Sequence, residues 1–406
     1  MGPAPGLPGV TLNHVIITYN AVMAATTNPF VYGEIVTSAA FADREQERDR
    51  LRRDLASGQK VFLISPRRYG KSSLVRDVLR GLARENVLTV EVTVAASSSY
   101  VGFLESYARA LVAADTPMSR LRRWTSELLT GVRPEVRLDT APTGEAAFSL
   151  AFPAVRTARD TARLAAEVFA LPGKIAAARK QRLAIALDEF QALTAFDGDT
   201  TEQALRAAVQ DQRAVGYVFA GSEPSLMERM ISPKRPFYKA GPVVRLQKID
   251  PDVFGDWLEA RFKTSGIKAE PGLGAAIVEL AGNVPYDVQR LAHETWDDLH
   301  ETGRRAASLD DLHVTLTRLL GEQHTVFEES WQRLTLAQRA ALRAIVLEDG
   351  REMLSADVRT RHRLSGASSV QAALTALVKQ DVVMKDGGSY IVTDSLYREW
   401  VARKTF

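Results

Sequence analysis

Short apolar runs alternate with amphipathic helical patterns along residues 43–247. The runs are rich in β-branched residues and have the length of buried parallel strands, whereas the segments between them repeat their apolar positions at helical spacing. Such runs occur at 61–65, 87–94, 183–187, 216–220 and 243–246. This alternation predicts an α/β fold with a parallel sheet of about five strands and helices on both of its faces.

Two segments within this region have a different pattern. Residues 134–152 predict a hairpin whose turn contains Pro142 and Gly144. Residues 158–180 predict helical structure that is broken at Pro172-Gly173.

Beyond residue 247 the pattern changes, and residues 252–319 predict helices only. Residues 325–406 predict three helices and then two short strands, 382–385 and 390–393, around an Asp386-Gly-Gly-Ser389 turn. Three helices followed by a hairpin are typical of a winged helix-turn-helix. We therefore expect an uncharged N-terminal arm (1–33), an α/β core (34–247), a helical lid (248–322) and a winged helix (323–406).

Composition excludes several kinds of site. The 406 residues contain no cysteine, which excludes a disulfide framework, a thiolate zinc site, an iron–sulfur cluster and a cysteine nucleophile. The six histidines include no HExxH pair, which argues against a histidine-built metal site. The net charge of +3 does not by itself indicate a nucleic-acid-binding protein.

The most apolar part of the arm, residues 12–25, is interrupted by Asn13, His14 and Asn20. It is too short and too polar to span a bilayer, and it lacks the basic region of a signal peptide. We expect a cytoplasmic protein without membrane contacts.

The strongest motif is the phosphate-loop pattern G-x-x-x-x-G-K-[ST] at residues 65–72, in which Ser65 replaces the first glycine. Gly70 lets the backbone approach phosphates, and amides at the start of the next helix point at anionic oxygens. Lys71 reaches the β- and γ-phosphates, and the Ser72 hydroxyl ligates Mg²⁺. The alternative is a chance GKS in a surface turn, which the flanking strand and helix disfavour. The predicted nucleotide-binding residues of the loop are Pro66, Arg67, Arg68, Tyr69, Gly70, Lys71, Ser72 and Ser73.

A second motif, the acidic pair Asp188-Glu189, directly follows the apolar run 183–187. We predict that Asp188 completes the Mg²⁺ site with Ser72 and that Glu189 polarises the attacking water, with Lys71 assisting catalysis. The alternative is an acid pair at a helix start. Ser222 follows the run 216–220, where it is placed to sense the γ-phosphate or orient water, and it equally fits a helix N-cap before Pro224.

These motifs occur together with others in the order seen in one family. The others are Asn28-Pro29-Phe30 with Tyr32-Gly33, the helix start Phe41-x-Asp43-Arg44-Glu45, Asp188-Glu189-Phe190-Gln191, Ala220-Gly221-Ser222, and Gly282-Asn-Val-Pro285-Tyr286. Over residues 28–400 the chain resembles the archaeal-type ATPases, a branch of the AAA+/STAND P-loop NTPases.

The resemblance implies a sheet ordered 5-1-4-3-2, a helical lid, a winged helix and ATP or ADP bound with Mg²⁺. It also implies that Asp188 and Glu189 are the Walker B pair, that Ser222 is sensor 1, and that Asn283 to Tyr286, with Pro285, lie near the adenine. Ser65 departs from the pattern, and either Arg235 or Lys239 would be the finger residue. For Arg290 and His293, packing within the lid is favoured over phosphate contact.

The leading functional hypothesis is an ATP-hydrolysing molecular switch, with a nucleotide-dependent oligomer as one form it takes. The alternatives are a DNA-binding ATPase of a mobile element or defence system, and a tight nucleotide-binding scaffold with little turnover. A P-loop kinase is disfavoured because a water-activating Glu189 would waste ATP. The predicted recognition helix, 368–379, has Lys379 as its one basic residue, so protein contact and duplex DNA both stay open as roles of the winged helix.

Overall fold

A computed structural model describes residues 27–34, 41–115, 134–140, 146–196 and 199–404. The chain divides into two compact units. One spans residues 35–247, and the other combines the residues before 35 with residues 248 onwards.

The first unit is a βα-alternating core. Its elements in chain order are α1 (Glu45–Ala56), β1 (Lys60–Ile64), α2 (Lys71–Arg84), β2 (Leu88–Thr93), α3 (Tyr100–Asp115), β3 (Glu135–Thr140), β4 (Ala146–Ala151), α4 (Ala158–Arg179), β5 (Leu183–Asp188), α5 (Asp199–Asp211), β6 (Val215–Gly221), α6 (Pro224–Met230) and β7 (Val243–Arg245). Five strands pair in parallel in the order β2-β5-β6-β1-β7. This confirms the predicted α/β fold and the sheet order 5-1-4-3-2.

Both faces of this sheet are buried. Because successive strand residues point to opposite faces, Phe62 and Ile64 of β1 join one apolar cluster, whereas Val61 and Leu63 join the other. The second cluster includes Leu74 and other apolar residues of α1 and α2. Each fully buried large side chain contributes about 1.5–3 kcal/mol, so the continuous apolar runs are what fix a sheet covered on two sides.

The antiparallel hairpin β3–β4 is present as predicted, although its turn residues Pro142 and Gly144 lie outside the described part of the chain. The predicted break at Pro172-Gly173 is wrong, because α4 runs unbroken through Pro172. Gln212 Nε2 donates to the carbonyl oxygen of Phe169, three residues before the proline, at 2.7 Å. Pro172 and its neighbour Leu171 are buried, so packing offsets the lost helix hydrogen bond.

The second unit is mostly helical. Its elements are α7 (Pro251–Thr264), β8 (Lys268–Ala269), α8 (Leu273–Leu280), α9 (Pro285–Glu301), β9 (Ala306–Ala307), α10 (Leu309–Glu322), α11 (His324–Gln332), α12 (Leu336–Leu347), α13 (Ala356–Arg361), α14 (Ala367–Lys379), β10 (Val383–Asp386), β11 (Ser389–Val392) and α15 (Ser395–Lys404). Helices α12–α14 and the antiparallel hairpin β10–β11 form the predicted winged helix. The predicted number of three helices over residues 325–406 is wrong, because α11 precedes them and α15 follows the hairpin.

The prediction of helices only at 252–319 is wrong at one point. Strands β8 and β9 form a short parallel ladder, in which the Lys268 amide donates to the Arg305 carbonyl and the Glu270 amide to the Ala307 carbonyl, each at 2.8 Å. Two-residue strands are too short to give an alternating pattern, so the sequence does not show them.

The end of the predicted N-terminal arm packs on α9. The Asn28 side-chain amide donates to the His293 carbonyl at 3.0 Å, and the Tyr32 hydroxyl donates to Glu294 at 2.6 Å. Burial, together with that bond to Glu294, raises the pKa of Tyr32 to about 12. Phe30 is fully buried against Phe262. These residues therefore belong to the same compact unit as α9, where the His293 ring contacts the Phe30 carbonyl. Among the described residues, no helix combines the length and the apolar character needed to cross a bilayer.

Candidate functional site

The loop between β1 and α2 has the conformation that its sequence demands. The positive φ angles lie at Arg68 (68°) and at Gly70 (80°), which is the N-cap of α2. A Cβ at Gly70 would meet no atom within 4 Å, so glycine serves the backbone conformation there and not the space. Ser65 is buried and its amide donates to the Gly221 carbonyl at 3.2 Å. Because Ser65 lies outside the positive-φ positions, a non-glycine residue is tolerated at this point of the motif.

Lys71 and Ser72 begin α2 and face the end of β5. The Lys71 ammonium contacts Asp188 Oδ1 and lies 3.5 Å from Glu189 Oε1. The Ser72 hydroxyl donates to Asp188 Oδ2 at 2.7 Å. Lys71 and Asp188 retain only 6% and 11% of their side-chain exposure, so this contact joins two nearly buried opposite charges. The carboxyl ends of β1 and β5 thus bring together a cation, a hydroxyl and two carboxylates, at the sheet edge where α/β folds bind ligands.

Glu189 is held by two donors. Its φ of 51° turns the chain sharply after β5 into a 3-10 helix, Phe190–Ala195. The Ser222 hydroxyl, which directly follows β6, donates to Glu189 Oε2 at 2.5 Å. Gln191 Nε2 donates to the same oxygen at 2.6 Å. Gln191 is not among the residues predicted for the site. In the sequence, its position two residues after Glu189 is the one sign of a role there.

The remaining residues of the phosphate loop differ in their exposure to solvent. Tyr69 and Ser73 are buried, Pro66 is half-buried, and Arg67 and Arg68 are exposed. The Arg67 guanidinium lies 4.0 Å from Glu223 Oε1, just beyond Ser222. Pro285 belongs to the other compact unit, where it is the first residue of α9, and its place near the adenine stays a prediction.

The cluster of donors and acceptors fits a nucleoside triphosphate with Mg²⁺. Lys71 and the backbone amides at the start of α2 are cationic or dipolar groups suited to phosphate oxygens. A serine hydroxyl and a carboxylate oxygen 2.7 Å apart are hard oxygen ligands of the type that Mg²⁺ takes alongside substrate phosphates.

Arg235, one of the two finger candidates, is engaged within its own unit. Its guanidinium contacts Asp199 and lies 2.5 Å from Glu202 Oε1 on α5. Glu202 is fully buried, and its burial raises the pKa of the carboxyl even though Arg235 opposes the shift. Lys239 is exposed, with its ammonium 5.3 Å from the centre of the Tyr238 ring.

Comparisons with known proteins agree with this fold. Residues 325–403 match a family model described as a probable winged helix domain. The Walker-type ATPase of Pyrococcus abyssi is 18% identical, covers 92% of this chain over 99% of its own, and superimposes with a TM-score of 0.58. The ORC2 protein of Aeropyrum pernix, solved in ADPNP-ADP complexes, is 14% identical, covers 94% of this chain over 98% of its own, and has a TM-score of 0.52. No curated protein matches the sequence at a significant level.

These likenesses lie below the identity at which more than a fold is shared. They agree with the observed strand order and with the C-terminal hairpin of β10 and β11. The chain therefore has the fold of the Walker-type, AAA+ P-loop ATPases and carries a winged helix domain at residues 325–403.

Proposed function

We propose that the chain binds ATP with Mg²⁺ and hydrolyses it to ADP and phosphate, as a molecular switch of the archaeal-type branch of the AAA+/STAND NTPases. One observation carries the proposal. Lys71, Ser72, Asp188, Glu189 and Ser222, which come from three separate segments of the sequence, form one contact cluster at the carboxyl ends of β1, β5 and β6.

Lys71 and the Ser72–Asp188 pair have the binding role. The Lys71 ammonium neutralises charge on the β- and γ-phosphates, while Ser72 and Asp188 hold Mg²⁺. The bound Mg²⁺ supplies charge stabilisation for the transferred phosphoryl group. Lys71 is already confined by Asp188 and Glu189 at the head of α2, so little side-chain entropy is lost when it turns to phosphate.

Glu189 has the catalytic role. Its carboxylate polarises the attacking water, and Ser222, which donates to it, stands where a γ-phosphate sensor is expected. A glutamate beside the phosphate loop also argues against a kinase, because water activation would divert the phosphoryl group from an acceptor.

Duplex DNA is the second candidate ligand, favoured by the match of residues 325–403 to a winged helix family. On α14, Lys379 is the last residue, and Gln371 is exposed on the helix surface. A helix with its positive charge at the far end is a weak reader of base edges, so contact with a protein partner fits this surface equally well.

One experiment separates these functions. ATP turnover is measured for the chain alone and with duplex DNA, and the size distribution is recorded in ADP and in a non-hydrolysable ATP analogue. Turnover alone supports the switch, turnover that rises with duplex supports the DNA-dependent ATPase, and tight nucleotide binding without turnover supports a scaffold. Absence of both binding and turnover contradicts the proposed function.

A further inference from the structure

Gln191 lies beneath the catalytic cluster and is 95% buried. Its side-chain nitrogen donates to Glu189 Oε2 at 2.6 Å and lies 3.4 Å from the Ser222 hydroxyl. The backbone of Gln191 is fixed as well, because the Thr194 hydroxyl donates to its carbonyl oxygen at 2.8 Å. The amide is therefore held in one place relative to the carboxylate.

The two oxygens of Glu189 have different surroundings. Oε2 accepts from both Gln191 and Ser222, whereas Oε1 lies 3.5 Å from the Lys71 ammonium at the phosphate loop. Two donors on one oxygen orient the whole carboxylate, and they leave Oε1 as the oxygen directed at the phosphate loop.

The oxygen of the Gln191 amide indicates that this residue serves as a hydrogen-bond donor and not simply as packing. Its Oε1 is buried without a hydrogen-bond partner. An unpaired buried acceptor costs about 1–3 kcal/mol, so an apolar residue of the same volume would serve packing better. Gly221 makes room for the amide, because a Cβ there would stand 2.7 Å from Gln191 Oε1 and 2.4 Å from Met227.

We propose that Gln191 is a positioning residue for ATP hydrolysis, which fixes Glu189 so that Oε1 receives the proton of the attacking water. This inference rests on the proposed function. In the step, the water oxygen bonds to the γ-phosphorus and the bond from that phosphorus to the bridging oxygen breaks. Its electron pair leaves with ADP, and one water proton passes to Glu189 Oε1 and then to solvent. Gln191 touches neither water nor nucleotide in this account.

The test compares Gln191→Leu and Gln191→Met, which keep the volume and lack the donor, with Gln210→Leu, an exposed position on α5. We expect kcat to fall between about 10- and 100-fold in both variants, the scale of a misplaced catalytic group, with KM for ATP within about 2-fold of the parent. A loss in kcat with KM unchanged separates a positioning role from a nucleotide-binding or purely structural one. Melting temperatures should not fall, since the unpaired acceptor is also removed.

A double variant with Ser222→Ala supplies the second measurement. Because both donors bind one oxygen, the combined loss should differ from the product of the single losses. An active parent whose Gln191 variants keep the parental kcat would overturn this inference and leave the proposed function intact. If the Gln191 variants lost both melting temperature and nucleotide affinity, the inference would be overturned in favour of a structural role. A parent without any turnover would instead overturn the proposed function itself.

Discussion

Ser72 and Asp188 lie 2.7 Å apart, hydroxyl to carboxylate, although 116 positions separate them in the chain. The parallel sheet explains the contact. Ser72 belongs to the helix that follows β1, Asp188 ends β5, and parallel strands direct their carboxyl ends to one edge. The proposed Mg²⁺ site depends on this pair.

Lys71→Ala should abolish detectable ATP binding or weaken it by about 100-fold or more, which is about 3 kcal/mol, because the variant loses the charge that faces the phosphates. Isothermal titration with ATP and Mg²⁺ checks this. Arg80→Ala, which removes one exposed positive charge from the same helix, is the matched control and should bind as the parent does. Parental affinity in the Lys71 variant would remove the phosphate-loop assignment.

The fold was predictable because its signals are local. Each buried strand, such as β5, is a continuous apolar run, and Gly70-Lys71-Ser72 stands directly between a strand and a helix. Gln191 was not predictable as a part of the site. Its role depends on Ser222 and Gly221, which are distant in the sequence and reach it through the pairing of β5 with β6.

Tertiary contacts also explain the errors of prediction. The Pro172 break is overridden by packing, because Leu171 and Pro172 are buried among distant parts of the first unit. In the ladder of β8 and β9, the backbone groups of two two-residue strands pair with each other. Strands this short carry no side-chain pattern that sequence analysis can detect.

Arg235→Met should destabilise the first unit by about 3 kcal/mol at neutral pH, because it leaves the fully buried Glu202 carboxylate without its ionic partner. Chemical denaturation measures the effect. Arg213→Met, an exposed site, is the control. Adding Glu202→Gln to Arg235→Met should restore most of the loss, since no charge then remains to be buried. A double variant no more stable than the single one would contradict this account.

The pH dependence of that loss follows from the direction of the shift. Burial raises the pKa of Glu202 in the folded state above its unfolded value of 4.5. Removing Arg235 raises it further, so the folded variant holds the proton more tightly than the unfolded chain. The penalty is therefore greatest above the folded-state pKa and shrinks as pH falls towards 4.5. Denaturation of parent and variant between pH 7 and 4.5 checks this, and a constant difference would contradict it.

Binding of duplex DNA by the winged helix should be weak and strongly salt-dependent. The candidate phosphate contacts are Arg359, Arg361, Arg363, Lys379 and Lys385, which limit the slope of log K against log salt to about −4.5. Because Arg361 is 2.7 Å from Glu348, a slope nearer to about −3.6 is expected. Fluorescence anisotropy with labelled duplex across salt concentrations measures it. Tight, sequence-specific binding at physiological salt would make DNA recognition the main role of this domain.

The most direct test of the central claim is phosphate release by Glu189→Gln, measured together with its affinity for ATP and Mg²⁺. Glutamine keeps the shape of the side chain but does not polarise water as a carboxylate does. Glu228→Gln, an exposed position on α6, is the matched control and should behave as the parent does. We predict that Glu189→Gln binds ATP with parental affinity while turnover falls by roughly 10²-fold or more. Turnover at the parental rate in this variant would contradict the account.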